Sequence, residues 1–240
     1  MLGRFLEFSI ATPDIQASLE FYGKLGFSEL SVGEAWPHPY AVVTDGRICL
    51  GLHGEFIPAP SLTFVKPDLL KHMDEIERLG LGFEFRRLGD EVFNELGWLD
   101  PSGHLVRLIE ARTFSPSKRT ATDTSLCGYF LEIALPAPRP QAAKEFWESF
   151  GFVGWDESNA LLPHIACTSD SLNIGLYDPA HLREPTLAFD AGDVAGALAR
   201  LADVGIQPAG QLPQPLRQLP AAVLIAPEGT PLLLLSETAA

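Results

Sequence analysis

The chain spells out its plan twice. Phe5-Leu6-Glu7 returns 125 residues later as Phe130-Leu131-Glu132, and Pro13, Ala17, Glu20-Phe21 and Gly26-Phe27 return as Pro138, Ala142, Glu145-Phe146 and Gly151-Phe152. A repeat of this length is a duplicated domain, so the two copies can be read against each other. The expected division is a first domain at 1–113, a linker at 114–125 and a second domain at 126–240. The linker stretch is polar and small, which suits a connection between two packed bodies.

Within the first copy, apolar residues alternate from Phe5 to Ala11. Leu6, Phe8 and Ile10 are placed on one face of a strand, and Glu7 and Ser9 on the other. Asp14 is a good helix cap, and Ile15, Leu19, Tyr22 and Leu25 recur at helical spacing until Gly26 ends the run. The helix covers the apolar face of the strand, so Glu7 is directed to the open side of the sheet. Tyr40–Thr44 and Arg47–His53 then flank Asp45-Gly46, a hairpin signal.

After Pro58 and Pro60 the order restarts. Leu62–Lys66 reads as a strand, Asp68 as the cap of a helix running to Gly80, and Phe83–Arg87, Val92–Leu99 and Leu105–Glu110 as three more strands. The second copy repeats the pattern, with helices near 140–150 and 193–204 and a last unit loosened by Pro213, Pro215 and Pro220. The expected fold is α+β, with four βαβββ modules paired into two tandem half-open barrels.

Composition narrows the partners. The net charge of −14 argues against nucleic acid and against anionic membrane surfaces, since both need a basic face. Cys49, Cys127 and Cys167 make an odd count without a CxxC spacing. Cys49 and Cys167 fall in apolar strands and read as buried, reduced thiols of a cytoplasmic protein. The N-terminus carries no long apolar run behind basic residues, so neither a signal peptide nor a membrane span is expected.

The module order, Glu7–Asp14 on the first strand and cap, Ser18-Leu19-Glu20-Phe21-Tyr22 on the helix, Leu25-Gly26-Phe27 at its end and Asp100-Pro101-Ser102-Gly103-His104 before the closing strand resemble the vicinal oxygen chelate superfamily. That group contains glyoxalase I, the extradiol ring-cleaving dioxygenases and the bleomycin- and fosfomycin-resistance proteins. The resemblance implies a ligand site on the concave face of each half-barrel. In metal-dependent members it also implies a His, Gln or Glu on the first strand of a module, with a further Glu or His on the closing strand. Glu7 stands at the first-strand position, and counting seven residues from Asp100 gives Arg107 at the closing one. The second module offers Ser61 or Leu62. In the second copy Glu132 is kept, with Thr186 or Pro185 and Leu233 as its companions.

One carboxylate, one hydroxyl and a guanidinium do not make a divalent-metal site, because such a site needs three or more N or O lone pairs and arginine has none to give. No metal and no cofactor are therefore expected. Glu7 and Arg107 are expected to face each other as an ion pair, either neutralising two buried charges or holding a polar ligand group through the guanidinium. Trp36, His38, Tyr40, His53, Phe93 and Trp98 are candidate ligand-binding residues alongside them, the aromatics as walls for a flat molecule.

An unorthodox metal site from Glu7, His38 and His53 is the minor alternative. Glu7 and Glu132 are the candidates for catalysis, Glu132 as a general base if it is isolated in an apolar cavity and as a plain exposed carboxylate otherwise. The leading functional expectation is a metal-independent small-molecule-binding protein, with its site in the first domain and the second domain as structural partner. The alternatives are a metal-dependent glyoxalase-like lyase or isomerase, a ring-cleaving dioxygenase, or an interaction module whose open sheet binds a protein. A monomer with its two halves paired, or a homodimer, fits the duplication.

Overall fold

The computed structural model describes residues 2–31, 36, 38–55, 57–58, 60–90, 93–111 and 125–236. Apart from Ser125 the expected linker lies outside them, as does Val92, the expected start of a strand. The first module is β1 (Arg4–Ala11), α1 (Ile15–Lys24), β2 (Ser28–Leu30), β3 (Tyr40–Thr44) and β4 (Cys49–His53). The second is β5 (Ser61–Lys66), a 3₁₀ turn at Leu69–His72 leading into α2 (Met73–Glu77), β6 (Phe83–Arg87), β7 (Glu95–Leu99) and β8 (Leu105–Glu110).

The third module is β9 (Tyr129–Pro136), α3 (Pro140–Ser149), β10 (Val153–Glu157), β11 (His164–Thr168) and β12 (Asn173–Tyr177). The fourth is β13 (Thr186–Asp190), α4 (Val194–Asp203), β14 (Ala222–Ile225) and β15 (Pro231–Leu235). Its proline-rich stretch forms a 3₁₀ turn at Gln214–Leu216 instead of a strand, because proline cannot donate to a strand ladder.

Modules pair edge to edge in two mixed sheets, ordered β2-β3-β4-β1-β5-β8-β7-β6 and β10-β11-β12-β9-β13-β15-β14. Antiparallel β1–β5 and β9–β13 contacts join the modules at the centre of each sheet. This is an α+β fold of two tandem half-barrels.

Local chemistry explains where the elements start and where the sequence misleads. Asp14 caps α1 by accepting from the Ala17 amide at 3.0 Å. Asp68 does not cap a helix. It sits at φ 51° with no side-chain cap bond, and the chain tightens into the 3₁₀ turn before α2 forms. A bulge between Phe5 and Glu7 shifts the register of β1. The core face of β1 therefore carries Phe5, Phe8 and Ile10, and Leu6 is displaced from it. β9 is bulged at the same place, so Phe130 joins the core and Leu131 does not.

One hydrophobic core runs through both halves. Trp98 of β7, expected to line the ligand cleft, is buried in that core and stacks on Phe150 at the end of α3 with centroids 5.8 Å apart. Polar contacts reinforce the joint reciprocally. In the first half, His104 Nε2 after the Asp-Pro-Ser-Gly turn meets the Pro136 carbonyl at 2.7 Å, and Arg139 donates to the Pro101 carbonyl at 2.9 Å. In the second half, Glu228 of the matching turn accepts from Ser18 Oγ at 2.8 Å and Tyr22 Oη at 2.7 Å, both on α1. Among the described residues no helix is long and apolar enough to cross a membrane.

Candidate functional site

Strand register places the site. Glu7 of β1 is opposite Thr63 of β5, Thr63 is opposite Arg107 of β8, and Arg107 is opposite Gly97 of β7. This polar row crosses the face of the sheet turned away from the core. Thr63, rather than Ser61 or Leu62, holds the second-module position. Glu7, Thr63 and Arg107 are all buried.

Glu7 is fully engaged. It accepts from Ser9 Oγ at 2.8 Å and from the Tyr40 hydroxyl, and His53 Nε2 lies 3.2 Å from its Oε1. Ser9 gives its only proton to Glu7, so the 2.7 Å contact with Thr63 runs from Thr63 Oγ1 to Ser9. His53 Nδ1 meets His38 Nε2 at 2.8 Å. The tautomer of the two rings sets which of them donates in this contact. Burial, and then the neighbouring His53, hold the His38 pKa below its ordinary value. Burial and the adjacent Glu7 hold the Tyr40 hydroxyl protonated far above its usual range. Glycine makes room for this arrangement, because a Cβ on Gly51 would stand 2.2 Å from Glu7 Oε1.

Arg107 does not pair with Glu7 as expected. Its Nη2 lies 3.2 Å from Oε2 of Glu95, a buried carboxylate on β7 that the other oxygen ties to Arg87 at 2.7 Å. The Trp36 ring covers the guanidinium at 4.8 Å and Phe85 approaches it at 5.5 Å. Burial lowers the Arg107 pKa, opposed by Glu95 and then Glu7. Trp36 also meets the rings of His38, His53 and Phe93 at 5.6, 5.3 and 5.4 Å. The structure thus gathers Glu7, Trp36, His38, Tyr40, His53, Phe93 and Arg107 on one face and leaves Trp98 out. Sequence reasoning missed Glu95 and Phe85, which a strand-by-strand reading cannot place beside Arg107.

The second sheet keeps the same trio with two members exchanged. Tyr40 and His53 are cross-strand partners in the first half, and His164 and Tyr177 are the corresponding partners in the second. Tyr177 donates to Glu132 at 2.5 Å, and His164 Nε2 lies 3.7 Å from the same oxygen. Glu132 is therefore neither isolated nor openly exposed. Gly175 makes room for it as Gly51 does for Glu7. The rest of the row has become apolar, with Ala188 and Leu233 where Thr63 and Arg107 stand. A cleft of about 460 Å³ opens here, lined by Leu131, Glu132, Trp155, His164 and Tyr177 among others. The half expected to be a structural partner therefore holds a cavity of ligand size.

The paired half-barrels share their fold with solved 2,3-dioxygenases. A catechol 2,3-dioxygenase matches at 12% identity and TM-score 0.53, covering 96% of this chain and 86% of its own. Homoprotocatechuate 2,3-dioxygenase from Arthrobacter globiformis matches at 14% identity and TM-score 0.61, over 96% of this chain and 78% of that one. A variant of the Brevibacterium fuscum homoprotocatechuate 2,3-dioxygenase gives 15% identity and TM-score 0.61, over 96% and 70%. At these identities the likeness is one of fold. No family model and no curated protein matches the chain.

The fold family implies a metal ion, and the donor set does not fit one. The first row offers Glu7, Thr63 and Arg107, and the second offers Glu132, Ala188 and Leu233. Both nitrogens of His53 are committed to Glu7 and His38. Among the described residues no group of three or more His, Cys, Asp or Glu side chains is arranged to hold a metal.

Proposed function

We propose that the chain binds a small organic molecule on the concave face of its first sheet without a metal ion. One observation carries this reading: a buried guanidinium, Arg107, ends the row in which metal-dependent relatives are expected to supply a ligand. Trp36 and Phe93 supply aromatic walls and the Glu7–Tyr40–His53–His38 network supplies fixed polarity. The reading takes the protein to be cytoplasmic, with its halves paired in a monomer or joined in a homodimer.

The likeness to catechol dioxygenases favours a second reading, a metal-dependent ring-cleaving enzyme, with a glyoxalase-like lyase as its variant. Either needs a donor set that the two rows do not supply. The test is metal analysis of protein grown with iron, manganese, nickel and zinc, followed by thermal-shift screening with and without chelator. Binding predicts a ligand-dependent rise in Tm, worth ~2.7 kcal/mol at a hundredfold excess over Kd, that chelation leaves intact. Near-stoichiometric metal that disappears in Glu7→Ala would overturn it and put ring cleavage first.

A further inference from the structure

Resting on that binding reading, we infer that the ligand of the first face carries a carboxylate or phosphate group, bound directly by Arg107 in the place of a metal. Arg107 is 5% exposed, yet its Nε and Nη1 have no hydrogen-bond partner among the described residues. Among the described residues only Nη2 approaches a carboxylate, at Glu95. A buried guanidinium left with unused N–H groups is unfavourable, and native interiors seldom leave such donors empty.

Neighbouring carboxylates do not fill the need. Both oxygens of Glu7 are taken by Ser9, Tyr40 and His53; Glu95 gives Oε1 to Arg87, and its Oε2, which makes no hydrogen bond, faces only Nη2 at 3.2 Å and leaves Nε and Nη1 unserved. Ser61 Oγ, on the same face of β5 as Thr63, is a second buried polar atom without a partner. The guanidinium can only donate, so the missing partner of Nε and Nη1 is an acceptor, and an anionic acceptor is the strong one; the Ser61 hydroxyl can serve either way.

The surroundings specify the rest of the molecule. Trp36 lies over the guanidinium and touches Phe93, so a flat apolar body attached to the anion meets ring faces. Trp36 is half-buried and its ring lies 4.8 Å from the guanidinium, so a ligand at the Arg107 donors changes the surroundings of the indole and its fluorescence reports binding. The overall charge of −14 gives no general attraction for anions, so any such binding is local. The second half is an internal contrast, since Leu233 replaces the guanidinium and no Arg or Lys lines its cleft among the described residues.

The experiment titrates the full chain with benzoate, phenyl phosphate, benzyl alcohol and benzylamine, read by calorimetry and by fluorescence in wild type and Trp36→Phe. Benzoate or phenyl phosphate is expected to bind at least tenfold more tightly than the alcohol and the amine, and their order tells carboxylate from phosphate. Arg107→Gln should remove that preference, and Arg107→Lys should keep only part of it. The fluorescence change should vanish in Trp36→Phe. Should Arg107→Gln fail to fold, the wild-type order of the four probes decides. Equal or tighter binding of benzyl alcohol overturns the anion inference while sustaining small-molecule binding. Failure of all four probes to bind, together with a negative broader screen, overturns both.

Discussion

Substituting Gly51 by alanine tests how the first carboxylate is seated. A methyl group there would stand 2.2 Å from Glu7 Oε1, 2.3 Å from Cδ and 2.5 Å from Oε2, inside any real contact distance. The obstacle is a side-chain end, which ordinarily yields. Here it is pinned by Ser9, Tyr40 and His53 in a site where Glu7 is 1% exposed, so it has no solvent to retreat to.

Hydrogen bonds to a charged group contribute ~1.5–3 kcal/mol each, and stranding a buried charge costs ~3–5 kcal/mol. These describe the same loss from two sides, so we expect Gly51→Ala to destabilise by ~3–5 kcal/mol. For a chain of this size that lowers Tm by ~6–20 °C. Gly82→Ala is the control, since nothing lies within 4 Å of its added Cβ, and it should stay within ~0.5 kcal/mol of wild type. Urea denaturation of Gly51→Ala, Glu7→Ala and the double variant completes a cycle. Removing the carboxylate first should make the added methyl nearly harmless, a coupling of ~2 kcal/mol or more. A single variant as stable as the control, or strictly additive losses, would refute the seating argument.

Glu228→Ala should lower the urea midpoint by the equivalent of ~2 kcal/mol, reduced from the full value of two charged hydrogen bonds because Glu228 is half-exposed; an unchanged midpoint would show that the α1 contacts with Glu228 do not hold the halves together. Burial pushes the Cys127 and Cys167 thiols up to about 12, so a thiol reagent at pH 8 should label only the half-buried Cys49 until denaturant is added. Burial also raises the Asp45 carboxyl, against the lowering pull of the Ile48 and Arg47 amides. The folded chain thus holds that proton more tightly than the unfolded one, and stability falls as pH climbs from the ordinary aspartate range through the raised value. Asp45→Asn keeps an acceptor for both amides, so it should raise Tm at neutral pH and lose the advantage in acid.

Much of the architecture was legible because a duplicated chain is read twice. Asp14, the α1 face, the closing strands and the outward direction of Glu7 follow from local spacing alone. The bulge was not legible, since one extra residue in β1 leaves the alternation looking intact and only cross-strand pairing reveals it. Trp98 was assigned to the wrong face for a related reason. Gly97 takes the site side beside Arg107, with the Phe85 ring lying against it, and this turns Trp98 toward α3.

Gly51 and Gly175, each inside a strand and repeated between the copies, did carry a signal of close approach. They mark where the two carboxylates lie. The exchange of tyrosine and histidine hid the second trio, because position-by-position comparison registers two changes where the geometry conserves one arrangement. The reading of Asp68 failed because an αL residue and a tight turn replace the helix start that its side chain suggested. Cys49 proved half-buried where a fully buried thiol was expected.

The reciprocal joint has a consequence for assembly. Each half sends the turn before its closing strand into the other, in the manner of a two-fold dimer drawn from a single chain. Separate halves would populate such a pair only as mass action allowed, and dilution would take it apart. Covalent joining holds each half at an effective concentration on the order of millimolar around its partner, whatever the expression level. The two concave faces can then diverge, one ending its polar row in a guanidinium and the other in aliphatic side chains, while the pairing that supports them no longer depends on how much protein is made.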